Sequence, residues 1–173
     1  MPAVTLYEVS ITTFDKGLTT LKHILEKAKE YATAQGSDPN VYVNSSLCDD
    51  MKGLAFQVQV ASNTVKKSVW RLTGNDVESW ADDETTLDQL IARTQRTLEL
   101  VQTVDEALIT GKDDNIVELQ MGKNGSRNLP AKAYVLNYAL PNFFFHVQTA
   151  YAILRAQKVP LGKTDYLGGF FKE

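Results

Sequence analysis

The sequence predicts an all-α fold: a four-helix bundle with a small β-hairpin before the last helix. Three observations carry that prediction. Apolar residues recur at alternating steps of three and four in four separate stretches, which puts each set on one face of a helix. Polar links rich in Gly, Asp and Pro separate those stretches. One segment, Asn115 to Asn128, alternates instead with period two around Asn124-Gly125, a hairpin signal. An isolated hairpin is marginal in water, so it must pack on the bundle. With 173 residues and no interdomain linker, residues 1–173 read as one domain.

Helix one is expected from Thr5, where Thr5-Leu6-Tyr7-Glu8 has the form of a capping box. Phe14, Leu18, Leu21, Leu25, Ala28 and Ala32 form its inner face, and Gly36 closes it. Asp38-Pro39 restarts the chain as a short helical segment through Val41 and Val43 to about Leu47. Helix two spans Leu54 to Leu72, with Leu54, Val58, Ala61, Val65, Val69 and Leu72 inward and Thr73-Gly74 as its stop. Gln57 falls on the shoulder of that face, while Gln59, Asn63 and Lys67 point away. Asn75 to Glu84 is an acidic connector carrying Trp80. Helix three starts at a capping box read as Thr85-Thr86-Leu87-Asp88 and turns Leu87, Leu90, Ile91, Thr94, Leu98 and Val101 inward. Asp105 caps a brief turn ending at Gly111. After the hairpin, Pro130 opens a helical piece to about Leu140, and Pro141 kinks it or restarts it. Phe143, Val147, Ala150, Tyr151 and Leu154 then face inward, and the tail from Val159 is irregular but docked.

Composition narrows the function classes. A 43% apolar chain of this length buries roughly 70% of its unfolded surface and needs no disulfide or structural metal. The net charge of −3 comes without a basic block, which argues against nucleic acid as a partner. No apolar run is long enough for a membrane span. The single cysteine, Cys48, suits a reducing compartment, and the opening residues lack a secretory pattern, so a cytoplasmic protein is expected.

Candidate chemistry centres on the last helix. Asn142 and His146 stand one turn apart on one flank. That is the spacing of a metal-binding histidine pair, but an amide is a poor ligand for zinc or nickel. The other histidine, His23, lies opposite the core face of helix one and should be exposed. A metal there would need carboxylates from the bundle ends: Asp49, Asp50, Asp165 or Glu173. No firmly bound metal is therefore expected, and His146 is the one plausible ligand. Nucleophilic catalysis has little support, because Cys48 precedes two aspartates that would raise its pKa. Gly162-Lys163-Thr164 is rejected as a phosphate loop, since Gln157 replaces the required glycine, a helix precedes it and no helix is expected to follow. The aromatics Tyr134, Tyr138, Phe143, Phe144, Phe145 and Tyr151 read as core packing or a subunit interface before a ligand cavity. Ser10, Gly17, Gln57, Thr94 and His146 are expected to approach one central pocket, with Asn142, Tyr138 and Asp50 as further candidates.

The run from Leu140 to Arg155, Leu-Pro-Asn-Phe-Phe-Phe-His-Val-Gln-Thr-Ala-Tyr-Ala-Ile-Leu-Arg, resembles the signature of an uncharacterised branch of the DinB/YfiT-like superfamily. Gln57-Val58-Gln59-Val60-Ala61-Ser62, Asp83-Glu84-Thr85-Thr86 and the tail Leu161 to Gly168 resemble it too. The resemblance implies a DinB-like bundle, commonly a homodimer. In the wider superfamily it implies a divalent metal on three histidines, serving thiol-dependent transferases or isomerases. Here only His146 matches that triad; Asn142 holds the partner position, and Gln57 or Ala61 stands where helix two would supply a histidine. The expected function is binding of a small molecule in a central pocket without a firm metal. The alternatives are a metal-dependent hydrolase or thiol transferase using His146, and a dimeric interaction module.

Overall fold

The computed structural model describes residues 3–171, with Asn124 described by its backbone alone. Four long helices make the bundle: α1 (Thr13–Ala34), α2 (Leu54–Thr73), α3 (Leu87–Gln102) and α5 (Leu140–Ala156). Around the bundle the order is α1, α3, α2, α5, with α2 packed chiefly on α5 and α1 on α3. A short α4 (Ala131–Tyr134) leads into α5 through a widened π turn, Val135–Ala139. A small α6 (Lys163–Leu167) lies in the tail.

The predicted faces are the observed core. Phe14, Leu18, Leu21, Leu25, Leu54, Val58, Ala61, Leu90, Phe143, Val147 and Leu154 are all fully buried. The Thr5 cap also forms: Thr5 N–H donates to Glu8 Oε2 at 2.7 Å, and Glu8 N–H donates back to Thr5 Oγ1 at 3.1 Å. Gly74, with φ +81°, supplies the left-handed residue that ends α2 and lets its N–H reach the Trp70 carbonyl.

Several expectations shift. The capping residue of α3 is Thr86, one position later than read, because Gln89 rather than Asp88 completes the box. Gln89 Oε1 accepts from both Thr85 N–H and Thr86 N–H, which leaves Asp88 free to pair with Lys29. The segment after Asp38 is one 3-10 turn, Pro39–Tyr42, rather than a helix to Leu47. Ile91 and Tyr151 are only half-buried, and Ile153 takes the deep position on α5. A helix does follow Gly162, but the Gly162 N–H is already bonded to Asp165 Oδ2 at 2.7 Å. The tail docks on α1, with Thr20 Oγ1 donating to the Tyr166 carbonyl and Lys16 Nζ to that of Phe170.

The hairpin pairs β1 (Ile116–Gln120) with β2 (Ser126–Pro130), antiparallel, Glu118 opposite Asn128. Val117 and Leu119 are buried against the bundle, and Arg71 Nε–H donates to the Glu118 carbonyl at 2.7 Å. Pro141 neither breaks nor restarts the last helix. Lacking an N–H, it cannot bond the carbonyl four residues back, and its ring would crowd that carbonyl. The wide turn at Val135–Ala139 relieves both problems and carries the helix through.

Candidate functional site

Two of the predicted residues meet. His146 Nδ1 lies 2.8 Å from Gln57 Oε1, linking α5 to α2. Gln57 Nε2 donates to the Lys52 carbonyl at 2.9 Å, so its oxygen must face the imidazole and Nδ1 carries the proton. Both side chains are buried, and the rings of Phe56 and Phe145 flank the imidazole at 6.1 and 5.1 Å. Burial holds the His146 pKa below the ordinary imidazole range.

That burial has a testable consequence. The folded protein keeps His146 neutral, while the unfolded chain takes up a proton below about pH 6.5. Its contribution to stability is therefore full above that pH and is lost as the pH falls further. The gap in melting temperature between the native chain and His146→Gln should narrow from pH 7 to pH 5; parallel curves would refute the assignment. At pH 7.5 His146→Ala should cost about 1–3 kcal/mol, because the Gln57 oxygen loses its donor.

The other candidates do not join this pair. Thr94 Oγ1 donates to the Leu90 carbonyl of its own helix, and Ser10 Oγ to that of Leu6. At Gly17 the space is filled: a Cβ there would stand 2.4 Å from Phe143 Cε1. The expected convergence of Ser10, Gly17 and Thr94 with His146 on a central pocket is thus corrected. Phe143, fully buried and edge-on to Phe14 at 5.2 Å, occupies the middle of the bundle. Asp50 and Asp49 are exposed, and Asp165 serves Lys27 and His23. Burial would raise the Asp165 pKa, but hydrogen bonds from Lys27, the Gly162 N–H and His23 hold it well below the usual carboxylate range. His23 is exposed as expected, and Glu173 lies outside the described residues.

A triad of metal donors is not assembled here. The His146 Nδ1 is engaged by Gln57, and Asn142 Nδ2 donates to Thr64 Oγ1 at 2.7 Å. Among the described residues no three His, Cys, Asp or Glu side chains cluster as ligands. The superfamily's three-histidine chemistry does not fit these residues.

Asn142 and Tyr138 come together elsewhere. They line a groove of about 210 Å³ bounded by α2, the hairpin and the π turn. Tyr134 forms its floor, with Tyr138 stacked on it at 6.0 Å. Tyr134 donates its hydroxyl proton to Ser68 Oγ at 2.9 Å, since Ser68 spends its own on the Thr64 carbonyl. Burial raises the Tyr134 pKa and keeps it a neutral donor. Lys67 and Arg71 supply the rim, and among the described residues no carboxylate lines the groove. Arg71 stands 5.3 Å above the Tyr134 ring, so its guanidinium is held by a cation–π contact and the Glu118 carbonyl.

Sequence reasoning missed these cations. Thr64, Lys67 and Arg71 recur at helical spacing, a polar stripe beside the core stripe, and that was the available signal. It also missed a second centre at the acidic connector. Arg93, its side chain 2% exposed, sits on the inner side of α3 and pairs with Asp82 and Glu84, both at 2.7 Å. The indole of Trp80 lies beside it, against Lys66 and Arg96.

Comparison with known proteins agrees with this architecture. A search of curated proteins finds no match to the chain. The crystal structure of a DinB family member from Shewanella denitrificans is similar at 34% identity, covering 97% of this chain and 94% of the other, with a TM-score of 0.86. The profile of a domain of unknown function, DUF1993, matches residues 6–167. With nearly the whole bundle matched, the chain belongs to the DUF1993 family, a DinB-like branch.

Proposed function

We infer that this protein binds a small anionic molecule in the groove between α2, the hairpin and the π turn, without a metal ion as partner. The observation that carries this reading is the pairing of Lys67 and Arg71 with the Tyr134–Tyr138 wall and the Asn142 amide, in a groove that no carboxylate among the described residues lines. Cations on one side, apolar rings on the other and a few fixed polar groups match an aromatic or short-chain carboxylate. Binding moves from the filled bundle centre to its flank because Pro141 widens the helix there and brings Tyr138 and Asn142 onto one face.

Titrating the protein with benzoate should raise its melting temperature saturably, as a ligand of the folded state must. Arg71→Gln and Tyr138→Ala should each weaken binding about tenfold or more, the loss of one charge-assisted contact or stacking wall. His146→Ala should leave affinity unchanged, and so should dialysis against a chelator. A response to benzoate that survives Arg71→Gln and Tyr138→Ala together would refute the groove.

A homodimer is the second reading, favoured by one observation. Phe56 on α2 and Phe145 on α5 are 40% and 58% exposed on the same side of the bundle, over His146. Two exposed phenylalanines from adjacent helices make an apolar patch suited to a second copy. Sedimentation should give a dimer that Phe145→Glu converts to monomer; a native chain that sediments as a monomer rejects this reading.

A further inference from the structure

The acidic connector and α2 bound a second cavity, of about 180 Å³, that adjoins the anion groove at Asn63 and Lys67. Lys66, Lys67, Trp70, Val77, Glu78 and Trp80 are among the residues that line it. Lys66 is only 6% exposed, an unusual place for a lysine. Its Nζ lies 3.9 Å from the centre of the Trp80 ring. The carboxylates nearby are committed to others: Asp82 and Glu84 to Arg93, and Glu78 to Arg96. Among the described residues no carboxylate comes within ion-pair distance of Lys66. Two guanidiniums share its aromatic neighbour, Arg96 at 4.1 Å and Arg93 at 6.0 Å from the ring.

A buried amine beside two cations, with no ion-pair partner among the described residues, favours its neutral form. Burial first, then Arg93 and Arg96, bring its pKa down to about 8, against the opposing pull of Asp82 and Glu78. Neutral amines are nucleophiles. The wall also holds a donor without an acceptor among the described residues: Trp80 Nε1 is buried and unpartnered. A ligand bearing oxygen acceptors would answer that imbalance, and Lys67 at the cavity edge offers a partner for a carboxylate. The volume is about six times the roughly 30 Å³ of a liquid water, enough for a molecule the size of pyruvate.

We propose that Lys66 is a reactive amine that forms an imine with a small 2-oxo acid entering the cavity between α2 and the connector. The Nζ lone pair attacks the carbonyl carbon, forming the N–C bond, and a proton passes from nitrogen to the oxygen. The carbinolamine then loses water as the C–O bond breaks and C=N forms. No oxidant or activated group is required. The cavity shares Asn63 and Lys67 with the anion groove but has its own aromatic wall, Trp70 and Trp80, and the inference rests on Lys66, which does not line that groove.

The test uses the full chain at pH 8 with glyoxylate and cyanoborohydride, reading the label on each lysine by peptide mass. Lys66 should be labelled at least tenfold faster than its neighbour Lys67 in the same sample, and faster by glyoxylate than by propanal. Trp80→Ala should bring the Lys66 rate down to that of Lys67. Lys66 reacting no faster than Lys67, or propanal labelling it as fast as glyoxylate, would overturn the proposal. The lysine comparison within the native chain stands whether or not the variant folds.

Discussion

Gly17→Ala should destabilise the native protein but stabilise a Phe143→Leu background. Alanine normally gains about 1 kcal/mol over glycine inside a helix. At position 17 that gain meets a wall: the new Cβ would lie 2.4 Å from Phe143 Cε1 and 2.8 Å from Cζ. The Phe143 ring cannot retreat, since it is fully buried and wedged edge-on against Phe14 at 5.2 Å and against Phe144 at 5.5 Å. Overpacking of this kind costs about 1–3 kcal/mol, more than the helical gain. Leucine at position 143 has neither clashing atom, so there the propensity term acts alone. Phe143→Ala on its own should cost about 3–5 kcal/mol, the loss of a buried ring plus the cavity it leaves. Urea denaturation of the four chains in the cycle measures the coupling directly. A Gly17→Ala effect of the same sign and size in both backgrounds would show that the two residues do not interlock.

How much of this was legible follows from the physics of each element. Helix faces were, because burial on one side imposes a period of 3.6 that survives in the sequence, as in Leu54, Val58, Ala61, Val65 and Val69. The hairpin was legible for the same kind of reason, with Val117 and Leu119 buried on alternate positions. The centre of the bundle was not. Whether Gly17 makes room for a ligand or for Phe143 depends on the relative height of α1 and α5, and no local pattern encodes that. The outward side of α2 was legible as outward, but what covers it was not. Gln59 and Asn63 do point away from the core, yet the connector covers them, with Gln59 bonded to Glu84 and Asn63 to Asp82. Of the residues predicted to share a site, Gln57 and His146 meet because they face each other across one helix pair. Tyr138 is diverted by the π turn, whose extra residue rotates it relative to α5, while Asn142, on α5 itself, is bonded to Thr64 of α2.

Arg93→Met is expected to loosen the connector over residues 74–86 and to cost about 3–5 kcal/mol, the loss from breaking a buried ion pair by removing one partner. Arg93 holds Ala81, Asp82 and Glu84 of this irregular stretch at once. Its Nη1 donates to the Ala81 carbonyl and Glu84 Oε1, both at 2.7 Å. Its Nη2 donates to Asn63 Oδ1 at 3.0 Å and meets Asp82 Oδ1 at 2.7 Å. Methionine fills the volume but satisfies none of these acceptors, and Glu84, at 12% side-chain exposure, is poorly placed to recover water. Arg93→Lys keeps the charge yet cannot hold a planar fork of four acceptors, so it should restore less than half of the loss. Local and global effects can be separated by readout. Trp80 rests on Lys66, Arg96 and Arg93, so its fluorescence should move toward that of a solvated indole in Arg93→Met. Protease cleavage within 74–86 should accelerate well before the bundle itself unfolds. If cleavage there stays as slow as in the native chain while global stability drops, Arg93 supports the helix packing of α2 and α3 rather than the connector. The cavity beside Lys66 has the connector as one wall, so the same variant should also erase the preferential labelling of that lysine.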